Sequence, residues 1–197
     1  TPSEKLNLAL NLSIDGKSDK ILRVFIPKPG TNESRPLGIP TLKDRAKQNL
    51  IKLALEPEWE AVFESGSYGF RPGRSCQDAI ENILTSCRSK PKFVLDADIS
   101  KCFDQIDHTA LLNKLNSPPK IFNQIKAWLK TDIMTNFSNR NKIDLNTESG
   151  TPQGGIISPL LANIALHGLG TYLKEQYANS IYPNKRQGKI QRAKELG

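Results

Sequence analysis

Asp98 ends the run Val94-Leu95-Asp96-Ala97-Asp98, and an aromatic, Phe103, follows five residues later. The apolar character of residues 92–97 predicts a buried strand that delivers a carboxylate to its end, a rigid place to hold a cation. Magnesium takes hard oxygen ligands, usually one or two carboxylates together with substrate phosphates. Two such ions about 3.5–4 Å apart serve displacement at phosphorus. Residues two apart on a strand face the same side, so Asp96 shares that side with Asp98. Taken alone, an Asp-x-Asp fits a loop cap as well as it fits a metal ligand.

Three further groups of residues could do chemistry. Lys28 and Arg35 stand seven apart across the turn Pro29-Gly30-Thr31-Asn32. Opposed cations on a β-ribbon can clamp a triphosphate, Lys as a point charge and Arg through its fork; they also fit two solvated surface charges. Thr151-Pro152-Gln153-Gly154-Gly155 offers glycines for close backbone approach to a ligand. Its Gln153 brings both donor and acceptor to a sugar or base edge. The segment leads into a helix start, which favours anions, although such a turn by itself is usually just a loop. Ser67-Tyr68-Gly69-Phe70-Arg71-Pro72-Gly73-Arg74-Ser75 mixes aromatics with cations, a pattern suited to stacking and phosphate contact or to packing a core. His108 and His167 lie far apart, and neither has a Cys or His at ligand spacing. Zinc chemistry and acyl transfer are therefore poor fits.

The elements that must position these residues follow from pattern and punctuation. Residues 1–20 are polar and weakly patterned. Residues 21–27 and 35–39 read as strands of a hairpin around the Pro-Gly turn. Thr41 with Asp44 starts a helix to about Glu56, with Leu50, Leu53 and Ala54 on one face. Pro57 ends it or opens a short helix to Phe63. Ser75 with Asp78 starts a helix to about Cys87. Residues 108–115 and 120–129 read as helices split by Pro118-Pro119, and weak strands are expected at 134–137 and 142–145. Ser158 as N-cap, with Pro159 in the first turn, opens a helix to about Tyr177. Residues 174–197 hold six basic and two acidic side chains and read as a mobile basic loop or as the lead-in to an element that is absent.

A chain of 197 residues can bury a real core and form one or two domains. Its 28 Lys and Arg against 20 Asp and Glu give a net charge of +8. That excess favours a polyanionic partner, nucleic acid first, though it also fits a basic protein with no such partner. Cys76, Cys87 and Cys102 lack metal-finger spacing and read as reduced thiols in a cytosol-like compartment. The longest nearly apolar run, residues 156–169, is too short and interrupted to span a bilayer. No secretory signal is read in the sequence.

Several strings occur together and in order: Arg35-Pro36-Leu37-Gly38-Ile39-Pro40; the Ser67 to Ser75 string; Asp98-Ile99-Ser100-Lys101-Cys102-Phe103-Asp104; and Gly150-Thr151-Pro152-Gln153-Gly154-Gly155 with Ser158-Pro159. Over roughly residues 23–168 they resemble the reverse transcriptases encoded by bacterial and organellar group II introns, which also act as maturases. The resemblance implies an α/β (α+β) right-hand fold, with helix-rich fingers and a partial antiparallel palm sheet backed by helices. It divides the chain into fingers (1–91 and 108–149) and palm (92–107 and 150–197).

The same resemblance implies an RNA-directed DNA polymerase, a nucleotidyltransferase that extends a primer in intron mobility and splicing. Asp98, with the Ile99 carbonyl, would bind Mg2+, or Mn2+ in its place. Lys28, Arg35, Phe103, Gln153 and Gly154 would bind the nucleotide, with Phe103 under the sugar to reject a 2′-hydroxyl. Arg71 and Arg74 would contact the template. Asp104, Asp107 and His108 are expected to hold a turn rather than a metal. The implied partners are an intron RNA template, a DNA primer, a dNTP and a second polypeptide supplying the rest of the palm and thumb, with no membrane. The implied compartment is the bacterial cytoplasm, or alternatively the chloroplast stroma or mitochondrial matrix. The family's Tyr-Ala-Asp-Asp motif is not found, and Tyr177-Ala178-Asn179-Ser180 is expected to be a decoy on a polar helix. These 197 residues alone are therefore expected to be inactive in extension. The rival expectation is a non-catalytic RNA-binding splicing factor or assembly subunit derived from a maturase.

Overall fold

Four of the described helices start at a local capping side chain. The computed structural model describes residues 1–32, 34–88, 94–134, 150 and 154–181. Pro2–Leu10 (α1) opens on a capping box between Thr1 and Glu4 and buries nothing. With no buried face it has little apolar pattern, which is why the sequence reading passed over it. Ile21–Pro27 (β1) and Ser34–Ile39 (β2) form the expected antiparallel hairpin, with Leu22 opposite Ile39 and Ile26 opposite Arg35. Ile133–Met134 (β3) adds to β1 in parallel, giving the order β2-β1-β3. The strand expected at 142–145 lies outside the described residues.

Leu42–Val62 (α2) starts where expected, with the Thr41 hydroxyl accepting from the Asp44 amide at 3.2 Å. It does not stop at Pro57. That proline is on the exposed side, so the Leu53 carbonyl deprived of its helical donor can turn to water. The expected face is also corrected. Asp44, Lys47, Gln48, Ile51 and Leu55 are buried, whereas Leu50 and Leu53 are exposed. The helical period is present, but half of it is written in polar residues.

Cys76–Cys87 (α3) carries the expected Ser75–Asp78 capping box. His108–Leu115 (α4) is capped by Asp107, which accepts from the Ala110 amide at 2.6 Å. Pro119–Leu129 (α5) follows. One helix was expected after residue 158, but two are found, Ser158–Leu166 (α6) and Leu169–Ile181 (α7), and the N-cap is Ile157 rather than Ser158. The break falls at Gly168, whose φ of +87° favours glycine. Glu64 reaches over from the end of α2 and accepts from the Gly170 and Thr171 amides at 3.3 and 2.6 Å. These bonds and the Thr171 hydroxyl hold its carboxyl below the usual range, the hydroxyl contributing most. Lys114 of α4 donates to the Ala165 and His167 carbonyls at the end of α6.

One apolar core joins α2, α4, α5 and α6. Ile51, Leu55, Leu111, Leu115, Ile125, Trp128, Leu161 and Ile164 are among its members. By contrast α3 buries no residue, and Ile80, Ile83 and Leu84 stand exposed along it.

The mixed α/β class holds, but of the palm strand expected at 92–97 the described residues 94–97 form none, and residues 92 and 93 lie outside the described residues. Residues 94–99 carry no strand, and Val94 and Leu95 are 77% and 75% exposed. A strand needs a neighbour to take its N–H and C=O groups. No described strand lies beside this segment, so apolar character alone does not fold it. Among the described residues the sheet is the hairpin with β3, not an antiparallel palm sheet. The three cysteines are free thiols. No helix among the described residues is long and apolar enough to cross a membrane.

Candidate functional site

Four of the five residues expected to hold a nucleotide line one open cleft of about 900 Å³: Lys28, Arg35, Phe103 and Gly154. The fifth, Gln153, lies outside the described residues. Their spread along the sequence makes the convergence informative. The hairpin supplies Lys28, Ser34, Arg35 and Pro36, and the turn at residues 101–104 supplies Lys101, Phe103 and Asp104. The start of α6 supplies Gly154, Gly155, Ser158 and Pro159. Phe70 adds an aromatic wall, its ring edge-on to Phe103 at 6.4 Å and 80°. Three cations and one carboxylate thus border a cavity whose lining is mostly apolar. That balance suits an anionic ligand carrying a flat group.

Glycines lock the floor of the cleft. A Cβ on Gly154, at φ +116°, would lie 2.4 Å from the Gly38 carbonyl oxygen of β2. A Cβ on Gly150, at φ +88°, would lie 2.7 Å from the Asp104 backbone. Gly150 is tied further: its amide donates to the Ile106 carbonyl at 2.9 Å, and its carbonyl accepts from buried His108 Nε2 at 2.7 Å. His108 therefore joins the two motifs as well as starting α4, a role the sequence did not reveal. Gln48 completes the anchoring, its Oε1 accepting from the Ile156 amide at 2.8 Å.

Behind the cleft, the polar face of α2 grips the segment leading into β1. Asp44 accepts from the Asp19 amide at 2.8 Å and from the Trp128 indole at 3.0 Å. Lys47 is paired with Asp15 at 2.6 Å and is itself buried. The hydrogen bond from Lys47 lowers the Asp15 pKa to about 2. Gln124 of α5 binds the Gly16 amide at 3.0 Å and the Lys17 carbonyl at 2.8 Å. Asp44, Lys47 and Gln124 thus each have a partner, as a low-dielectric interior requires.

The structure gives Arg71 a job other than the expected template contact. It is 6% exposed. Its guanidinium bonds both Glu60 carboxylate oxygens, at 2.9 and 2.7 Å, and the Glu64 and Ser67 carbonyls, each at 3.1 Å. It also sits 5.0 Å above the Phe63 ring. Arg74 donates to the Ser65 and Ser67 carbonyls at 2.6 and 3.2 Å and lies over Tyr68. The two arginines brace their own loop, supplying donors to turn carbonyls that no helix or strand partner satisfies.

Asp98 is exposed, does not line the cleft, and makes no hydrogen bond or ion pair among the described residues. Among those residues no group of three His, Cys, Asp or Glu side chains converges on a metal position. One carboxylate does not offset the repulsion between two divalent ions. Asp98 and the Ile99 carbonyl therefore do not amount to a two-ion site by themselves.

Comparison with known proteins gives a consistent picture. Residues 26–187 match the family model described as reverse transcriptase (RNA-dependent DNA polymerase). The chain is 41% identical over 156 residues to the group II intron-encoded protein LtrA of Lactococcus lactis, covering 78% of this chain and 25% of that protein. It is 37% identical over 163 residues to protein YkfC of Escherichia coli, covering 79% and 41% respectively. It is 32% identical over 94 residues to the mitochondrial nuclear intron maturase 1 of Arabidopsis thaliana, covering 46% and 13%. The chain thus spans between about an eighth and two fifths of the length of these relatives.

Proposed function

The chain belongs to the reverse transcriptase family, and we propose that it is the nucleotide- and template-binding portion of a group II intron-type RNA-directed DNA polymerase. The observation that carries this is the convergence of Lys28, Arg35, Phe103 and Gly154 on one cleft from three separate stretches of sequence. In this reading the triphosphate lies against the cations and the sugar lies over Phe103, where a 2′-hydroxyl would clash. Fingers comprise residues 1–91 and 108–149, and palm comprises 92–107 and 150–197. RNA template, DNA primer and dNTP are the substrates, within intron mobility and splicing in a bacterial or organellar compartment. Catalysis by such an enzyme comes from positioning and charge stabilisation of phosphoryl transfer.

Magnesium is the proposed cofactor, with Asp98 and the Ile99 carbonyl contributing to its ligands. The set is incomplete among the described residues, so these 197 residues by themselves are expected to bind dNTP without extending a primer. A second polypeptide segment would supply the remaining carboxylates. The test is equilibrium binding of a dNTP against the matching rNTP. Binding of the dNTP that weakens in Lys28→Ala and Arg35→Ala, with the rNTP bound less well until Phe103→Ala, supports the reading. Equal binding of both sugars by the parent chain refutes it.

One observation favours a second reading. Asp98 lies outside the cleft, as it would in a maturase-derived splicing factor that binds RNA without polymerising. In that case Asp98→Ala would leave RNA binding and splicing intact while no dNTP bound at all.

A further inference from the structure

We propose that Lys101 is a third phosphate-binding group, closing a three-cation grip with Lys28 and Arg35 on a nucleoside triphosphate. The inference rests on the nucleotide reading of the cleft. Lys101 lines the same cavity as both cations but comes from a different wall, the turn before the 3₁₀ helix Cys102–Asp104. Two cations on one ribbon hold an anion from one side. A third, carried by a separate segment, offsets more of the charge a triphosphate carries.

The backbone around Lys101 points the same way. Its φ is +50°, a left-handed conformation that a side chain with a Cβ adopts at a cost. The turn enforces it, with the Asp104 and Gln105 amides both donating to the Lys101 carbonyl, at 2.9 and 3.1 Å. Phe70, at φ +57°, shares the cleft, so two of the three described non-glycine residues with positive φ line this one cavity. Such strained residues cluster at ligand clamps.

The charge on Lys101 is also unclaimed. Lys47 pairs with Asp15, Lys52 with Glu56 and Arg71 with Glu60. Lys101 is exposed and has no hydrogen bond or ion pair from its side chain among the described residues. A cation held in a costly backbone conformation, lining a basic cleft and without an acid partner among the described residues, is placed for a ligand rather than for the fold.

The test compares Lys101→Asn with Lys101→Arg in the 197-residue chain. Asparagine accepts the left-handed backbone and so removes the charge without disturbing the turn, which an unchanged unfolding midpoint would verify. Binding of dATP and of inorganic tripolyphosphate is measured by calorimetry at low and high salt. The expected result is that Lys101→Asn weakens both by about fivefold, the upper end for an exposed ion contact. Lys101→Arg stays near the parent, and the difference shrinks as salt screens it. Unchanged dATP binding in Lys101→Asn, beside a parent that binds well, overturns this inference and leaves the nucleotide reading standing. Loss for dATP but not for tripolyphosphate overturns it too, because Lys101 would then shape the sugar or base end. Loss confined to a single-stranded RNA probe assigns the charge to an RNA backbone instead. A parent chain that binds neither dATP nor tripolyphosphate removes the nucleotide reading, and Lys101 with it.

Discussion

The helical body and the turn-rich rim of the cleft use the same side chains in opposite ways. In the body, Asp44 is 2% exposed and accepts from the Asp19 amide and the Trp128 indole, while Arg71 is enclosed by Glu60 and two carbonyls. By contrast Lys101 at the rim, and Asp98 three residues before it and outside the cleft, are exposed and make no such side-chain bonds among the described residues. Burial forces a polar group to find partners inside the protein. Exposure leaves it available to a ligand. Charge type says nothing about which of these a residue will do, and the tertiary environment decides it.

The sharpest way to break this comparison is to remove a body charge. Arg71→Ala should cost about 3–5 kcal/mol, because Glu60 is left without its partner in a partly buried place. Arg71→Lys should recover less than half of that, since one ammonium cannot copy the forked contact. Denaturant midpoints measure both. A stable Arg71→Ala that has lost RNA affinity would return this residue to the template.

Next in size is the cleft floor. Gly154→Ala should lose about 2–3 kcal/mol through the clash with the Gly38 carbonyl, and dNTP binding should fall with it. Gly30, at φ +75° with nothing within 4 Å of an added Cβ, is the control. There alanine should cost only about 1 kcal/mol, from backbone strain alone. Equal losses at the two sites would mean that the close approach to β2 does not matter.

Acid titration sharpens the contrast from another side. Lys47 lowers the Asp15 pKa to about 2 from its ordinary value of 3.8. The folded-state pKa is depressed, so this contribution is complete above the unfolded value and disappears as pH falls from about 4 through 2. Asp15→Asn should flatten the acid limb of the stability curve followed by circular dichroism. An unchanged limb would show that the pair adds nothing in solution.

The smallest effect belongs to the exposed stretch that leads up to the rim. Asp98→Asn should leave stability within about 0.5 kcal/mol of the parent, whereas Asp44→Asn should cost about 2 kcal/mol by disturbing buried bonds. An Asp98 variant as damaging as the Asp44 variant, in the same thermal melts, would collapse the distinction between exposed and buried charges.

Much of the scaffold was legible in the sequence because its signals are local. The hairpin turn at Pro29-Gly30, the Thr41 and Ser75 starts and the double proline before α5 each act within a few residues. The buried face of α2 was misread because Asp44, Lys47 and Gln48 carry it, and hydrophobic periodicity does not register polar residues that are buried only because partners far along the chain satisfy them. The break between α6 and α7 was missed for a similar reason. A lone glycine gives a weak stop signal until Glu64, some hundred residues earlier, supplies the cap.

The candidate site divides along the same line. The short motifs that carry the resemblance to group II intron reverse transcriptases lie in the sequence itself, and it is that resemblance, not residue type or spacing, that groups Lys28, Arg35, Phe103 and Gly154; the structure brings the four to one cleft. Only the tertiary structure decided that Arg71 is a brace, that Lys101 faces the cleft, and that residues 94–99 form no strand among the described residues. Burial, charge pairing and strand pairing all depend on which distant segment arrives alongside, and a linear pattern does not contain that contact.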